Sequence, residues 1–183
     1  IRTIYDRYDG RLRARGEVTT APNATVFGTG SPVGEDECGD YYARALSSWS
    51  SLLALQGFSY DGPDQSIGFQ PVWQPGNHRS FFTTAEGWGL FSQSLAGSTQ
   101  TATIDLKYGD IDLRTITLAV PDQQKVKNLR VSLDGKKLPV QSYEQRGQRV
   151  DILLRQSALL QADALLQIEL DLKLKAIARE KVE

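Results

Sequence analysis

Residues 165–174 read Leu165-Leu166-Gln167-Ile168-Glu169-Leu170-Asp171-Leu172-Lys173-Leu174. Ile168, Leu170, Leu172 and Leu174 fall on one side of an extended chain and Glu169, Asp171 and Lys173 on the other, the period of two that marks a half-buried strand. One dry face and one wet face belong to an antiparallel sheet. Working back from this stretch, strands are expected over residues 67–69, 79–84, 88–94, 101–108, 111–120, 128–133, 138–145 and 148–154. Tyr108-Gly109-Asp110, Asp134-Gly135-Lys136 and Arg146-Gly147-Gln148 supply turn chemistry at hairpin spacing. Short strands at this rhythm predict a β-sandwich or jelly-roll. The fold class expected for the whole chain is α+β, mostly β: one amphipathic helix over about residues 37–57, then the antiparallel sandwich.

The helix is read from residues 42–57, where steps of about 100° gather Tyr42, Leu46, Trp49 and Leu53 into one stripe, taken as the core face. Gly57 is the expected stop, and Asp61-Gly62-Pro63 is turn chemistry. Arg44 falls opposite the stripe with Ser48 and Ser51, on a small polar surface that faces either water or a cavity. Glu35 lies nine residues before Arg44, about half a turn out of phase, so within one helix the two side chains would diverge. They converge only if Glu35 sits on a loop before the helix, which Gly34, Gly39 and the capping residues Asp36 and Asp40 permit. There a carboxylate and a guanidinium are placed to grip different hydroxyls of one polar ligand. The plainer readings are an Asp40–Arg44 pair worth about 0.3–0.5 kcal/mol at a surface, and a solvated loop acid at Glu35.

Composition narrows the function classes. The chain has 183 residues, 40% hydrophobic and 23% charged, enough to bury a core. Its net charge is −1 and its Lys and Arg residues form no stripe, so neither nucleic acid nor an anionic membrane is an expected partner. One cysteine, Cys38, and one histidine, His78, give neither an internal disulfide nor a metal-ligand set, and no cofactor is expected. No apolar run approaches the roughly 20 residues of a membrane span and no signal-peptide pattern opens the chain, which therefore reads as soluble with its compartment open. The chain contains no methionine and begins Ile1-Arg2-Thr3, so it is expected to be a piece of something longer.

Several strings carry a family likeness. Asp6-Arg7-Tyr8-Asp9-Gly10, Glu37-Cys38-Gly39-Asp40-Tyr41-Tyr42-Ala43-Arg44-Ala45 and Gly57-Phe58-Ser59-Tyr60-Asp61-Gly62-Pro63 resemble the C-terminal end of glycoside hydrolase family 116, which includes non-lysosomal glucosylceramidases and bacterial β-glucosidases. Ile67-Gly68-Phe69-Gln70-Pro71 and Phe81-Phe82-Thr83-Thr84-Ala85-Glu86-Gly87-Trp88-Gly89 look like downstream signatures of its longer bacterial members. The resemblance covers roughly residues 5–93. It implies a parent polypeptide with an (α/α)6 catalytic barrel that hydrolyses β-glucosides with retention, using two carboxyl groups that both precede this segment. On that reading the chain itself carries no catalytic carboxylate. Its substrate-binding residues are Glu35 and Arg44, which hold outer hydroxyls of the sugar. The chain departs from the family around Ser31-Pro32-Val33-Gly34-Glu35 and has Tyr41 where the family has histidine. The domains implied are 1–58, the end of the barrel; 59–175, the β-sandwich; and 176–183, a charged tail.

Trp73 and Trp88 follow turn-like or Gly-rich sequence and are candidates for stacking on a sugar, with packing as the competing reading. Trp49 and Cys38 read as packing residues, and His78, beside Pro75-Gly76-Asn77, as a surface loop residue. Three functions follow. The chain is the substrate-binding C-terminal part of a retaining β-glycosidase, partnered by a β-glucoside and by the rest of the parent polypeptide; or a non-catalytic carbohydrate-binding module, which needs an accessible platform at Trp73, Trp88 or Tyr60; or a structural sandwich, which needs an apolar patch on one sheet face.

Overall fold

The computed structural model describes residues 46–174, with side chains described from Ser50 onward. Residues Leu46 to Leu53 belong to one compact unit and Ala54 to Leu174 to another. The described elements are a helix α1 (Leu46–Gln56) and eleven strands: β1 (Ser59–Asp61), β2 (Ser66–Phe69), β3 (Asn77–Thr83), β4 (Gly87–Ala96), β5 (Thr99–Gly109), β6 (Ile111–Ala119), β7 (Gln124–Leu133), β8 (Lys136–Leu138), β9 (Val140–Arg146), β10 (Arg149–Leu160) and β11 (Leu165–Leu174).

The strands form two sheets, one ordered β1-β2-β6-β10-β9 and the other β3-β4-β5-β11-β7-β8. Every pairing is antiparallel except β2 with β6, which run parallel with Ile67 opposite Ile116. The fold is the mostly β sandwich that the alternation implies. In β5, Gln100, Ala102, Ile104 and Leu106 are buried while Thr99, Thr101, Thr103 and Asp105 are partly exposed, and β11 buries Leu166, Ile168, Leu170 and Leu172. Leu174, expected inward, is exposed at the strand's end. Phe69 of the five-stranded sheet stacks on Phe91 of the six-stranded one with centroids 3.9 Å apart, and Phe58 and Phe82 pack around them. These aromatics supply large buried areas where the sheets meet.

Three expectations change. Gly109 does not close a hairpin: β5 and β6 lie in different sheets, and the turn carries the chain from one to the other. Residues 138–145 are not one strand, because the chain breaks at Pro139 and passes from β8 in the six-stranded sheet to β9 in the other; proline cannot donate to a ladder. Leu53, assigned to the core stripe of the helix, is 47% exposed, whereas Gln56 at the helix end is buried. Tyr42 lies outside the described residues. The terminal helix carbonyls are satisfied from the strand side: Gln70 N donates to Gln56 O and Gly57 O, both at 3.1 Å, and Val72 N donates to Leu55 O at 3.0 Å.

Candidate functional site

Glu35 and Arg44 lie outside the described residues, as do Cys38 and Asp40. The two candidate stacking residues are described, and β3 separates them. Trp73 precedes the first residue of this strand and Trp88 pairs with Thr83, its last. Six strand steps intervene, roughly 20 Å. They therefore belong to opposite ends of the sandwich and cannot bracket one sugar ring.

At the Trp88 end, two of the quoted sequence strings meet. Tyr60 Oη of β1 donates to Glu86 Oε2 at 2.7 Å. Gly62, in the same string as Tyr60, approaches so closely that an added Cβ would lie 3.1 Å from Glu86 Oε1. This bond ties the edge of one sheet to the β3–β4 turn of the other. Loss of water around the phenol, and then the Glu86 carboxylate that accepts its proton, push the Tyr60 pKa up to about 12. Thr84 shapes the turn: its Oγ1 accepts from Gly87 N at 3.0 Å and donates to Gly87 O at 3.0 Å. Gly109 completes the corner with φ +83°, and its α-carbon faces the Glu86 carbonyl where a side chain would collide. On the outer face Trp88 pairs across β4–β5 with Tyr108, and both are exposed, 46% and 67%. Phe81 and Leu90 pair on the same face. Retaining hydrolysis needs two carboxyl groups about 5–5.5 Å apart. The group bonded to Glu86 is instead a phenol, and Asp105, opposite Leu90, is paired with Lys107 at 2.9 Å. The geometry here is that of a clamp beside an aromatic surface.

The Trp73 end is a loop, residues 70–76, held by side chains from the strands. His78 is not a surface residue: it lies in β3, is 6% exposed, and has both ring nitrogens occupied. Its Nδ1 is 2.9 Å from Trp73 O and its Nε2 3.0 Å from Ser80 Oγ. A carbonyl only accepts, so Nδ1 carries the proton and Nε2 accepts from the serine. Gln93 Nε2 donates to Pro75 O at 2.8 Å and Leu95 N to Gly76 O at 2.9 Å. Three successive fixings of the loop carbonyls thus hold Trp73, 60% exposed, in place. Sequence reasoning passed over Gln93. Its signal was present, for Gly89, Phe91, Gln93 and Leu95 share the inward parity of β4, and an amide at a core position asks for a partner. Among the described residues no group of three or more His, Cys, Asp or Glu is arranged to hold a metal, and no helix is long and apolar enough to cross a membrane.

No family profile and no curated protein sequence matches the chain. Among solved structures it is similar to a GH127 β-L-arabinofuranosidase from Geobacillus stearothermophilus T6, with TM-score 0.40 and 12% identity over 73% of this chain and 19% of that one. It is also similar to an α-L-rhamnosidase from Dictyoglumus thermophilum, with TM-score 0.37 and 10% identity over 64% of this chain and 12% of that one. A third similar structure, described as a glycoside hydrolase, gives 0.38 and 9% over 92% and 27%. The neighbours are glycoside hydrolases, and the chain spans about a quarter or less of their length. Likeness this weak bears on neither substrate nor mechanism.

Proposed function

We propose that the chain is the C-terminal part of a retaining β-glycosidase of the family 116 type, acting on β-glucosides or glucosylceramide-like substrates. In this reading Glu35 and Arg44 hold sugar hydroxyls, the β-sandwich braces the catalytic barrel, and the two reacting carboxyl groups belong to the preceding part of the parent polypeptide. The single observation that carries the reading is the meeting of separate strings of the family likeness. Tyr60, from the string at residues 57–63, binds Glu86, from the string at residues 81–89, while Phe69, from the string at residues 67–71, packs on Phe82 and Phe91. Strings that converge on one corner act as a structural unit, which favours a shared architecture over a chance match in sequence.

The test is kinetic and uses the full-length parent protein. Arg44→Ala should lower kcat/KM for an aryl β-glucoside by about 1.5–3 kcal/mol equivalent, the range of a hydrogen bond to a charged group, with folding intact. Glu35→Gln should act in the same direction. Unchanged kinetics in both variants would remove these residues from the sugar site. The exposed Trp88–Tyr108 pair favours a second reading, a non-catalytic carbohydrate-binding module; under it the isolated chain binds an oligosaccharide, and Trp88→Ala abolishes that binding.

A further inference from the structure

Beside the Trp88–Tyr108 pair, the outer face of the six-stranded sheet carries an ion pair that a bulge places there. Trp88 lies opposite Tyr108 but Gly89 lies opposite Leu106, so Lys107 is an extra residue on β5. In an unbroken strand Lys107 and Tyr108 would face opposite sides of the sheet. With the bulge both are exposed, and Lys107 Nζ reaches Asp105 Oδ1 at 2.9 Å. Gly89 permits the irregularity, because a Cβ there would collide with the Asp105 carbonyl. Bulges recur beside binding sites, where they re-aim side chains. Both charged side chains are accessible to a ligand, Lys107 at 37% and Asp105 at 30%. Asp105 is the diagonal neighbour of Trp88, about 7–8 Å away between β-carbons by strand geometry and within the reach of one sugar ring and its hydroxyls. Among the described residues, neither the Trp88 ring nor the Tyr108 ring packs on another aromatic side chain.

We propose, resting on the carbohydrate-binding reading of this pair, that Trp88, Tyr108, Asp105 and Lys107 form a shallow site for an uncharged glycan chain with equatorial ring substituents, such as a β-1,4-glucan. The aromatic rings meet the C–H faces of the sugar, Asp105 accepts from one ring hydroxyl and Lys107 donates to another. A hydroxyl both donates and accepts, so vicinal hydroxyls satisfy both members of the ion pair at once. The carboxylate and the ammonium cancel, so the pair gives no net charge to select an ionic ligand. Area favours a sugar over a protein partner. Trp88 and Tyr108, 46% and 67% exposed, together present roughly 250 Å2, well short of the about 800 Å2 per partner of a stable protein interface. The apolar surface also ends quickly along the strands, for Ser92 and Thr103 follow Leu90 and Asp105 on this face and are bonded to each other at 2.6 Å. An axial hydroxyl would interrupt the apolar face that the aromatic rings require, which selects equatorial sugars. A site on a sheet face accepts the interior of a chain as readily as its end.

Calorimetric titration of the full 183-residue chain with cellotetraose, alongside β-1,4-galactotetraose and glucose, tests the proposal. Cellotetraose should bind saturably with Kd on the order of 0.1–1 mM, and the axial galactan and the single sugar at least several-fold more weakly. Trp88→Ala and Tyr108→Ala should each weaken binding about tenfold or more. Asp105→Ala and Lys107→Met should each weaken it about threefold to tenfold, the scale of one solvent-exposed, charge-assisted hydrogen bond. All four side chains are at the surface, so urea unfolding midpoints should stay near that of the unmodified chain and separate lost binding from lost folding. Cellotetraose binding that both Asp105→Ala and Lys107→Met leave unchanged, with Trp88→Ala still abolishing it, would overturn the proposal while the carbohydrate-binding reading stands. Galactotetraose binding as tightly as cellotetraose would also overturn it, by removing the ring selectivity. Saturable binding by none of the three sugars, or binding indifferent to Trp88→Ala, would overturn the proposal together with that reading and leave the aromatic pair as a contact for the rest of the parent polypeptide.

Discussion

The two ends of β3 solve the same structural problem in opposite ways. At the Thr83 end the β3–β4 turn is satisfied and filled: Tyr60 caps Glu86, Thr84 closes the turn on Gly87, and Phe82 lies fully buried between Phe58 and Phe69. At the Asn77 end the loop is held just as firmly, yet its fixings are polar, and the loop walls an open volume of about 500 Å3. Close packing at one end contrasts with open volume at the other.

That division has measurable consequences. Phe82→Ala should strike hardest, with a loss of about 3–5 kcal/mol in urea unfolding, because a fully buried ring leaves a cavity between the sheets. Gly109→Ala should cost about 1–3 kcal/mol by the same measurement, since φ +83° is strained for alanine and the new methyl meets the Glu86 carbonyl. Tyr60→Phe should cost about 0.5–1 kcal/mol, a single hydrogen bond discounted for the solvent at Glu86. It should also alter the alkaline limb of stability. Between pH ~10 and ~12 an unfolded tyrosine has released its proton while Tyr60 in the folded state retains it, so the unfolded state binds fewer protons and stability falls as pH rises. The difference between the wild-type and Tyr60→Phe stability profiles should therefore slope downward across that window, and a flat difference would show that the phenol is not shielded. Smallest of all, Gly76→Ala at the loop end should change stability by less than about 0.5 kcal/mol. Equal costs at Gly109 and Gly76 would erase the contrast between the ends.

Much of the architecture was legible in residue alternation. Residues 165–174 read as a half-buried strand because every second side chain is aliphatic, and burial follows that pattern through Leu172. Sheet membership was not legible. Tyr108-Gly109-Asp110 has hairpin chemistry, but a turn motif specifies a change of direction and leaves open which sheet receives the next strand; here long-range packing sends β6 to the opposite layer. The irregularity of β6 has the same origin. Arg114 N and Thr115 N both donate to Gln65 O, at 2.7 and 3.1 Å, two residues facing one. The inward parity accordingly shifts from Ile111 and Leu113 to Ile116 and Leu118. In β10 the alternation lapses at Arg155-Gln156-Ser157, and the expected strand ended there; the structure spends those residues as an irregularity between Leu153 and Ala158 and continues to Leu160. His78 was misplaced because Pro75-Gly76-Asn77 dominates its local signal, while the carbonyl it serves comes from a loop whose path no local pattern reveals. Of the candidate site residues, Trp73 and Trp88, read as either sugar-stacking or packing side chains, are exposed, and their separation depended on strand pairing. Glu35 and Arg44 fall outside the described residues.

The last described strand, β11, is not at an edge: it stands between β5 and β7 and pairs with both along most of its length. A nascent chain emerging from the ribosome therefore holds β3-β4-β5 and β7-β8 as two unjoined halves, each with a bare row of amide and carbonyl groups, until residues 165–174 are released. Final closure of that layer waits on those ten residues, and a stop codon ahead of them would leave two adhesive edges in place of a shortened sheet.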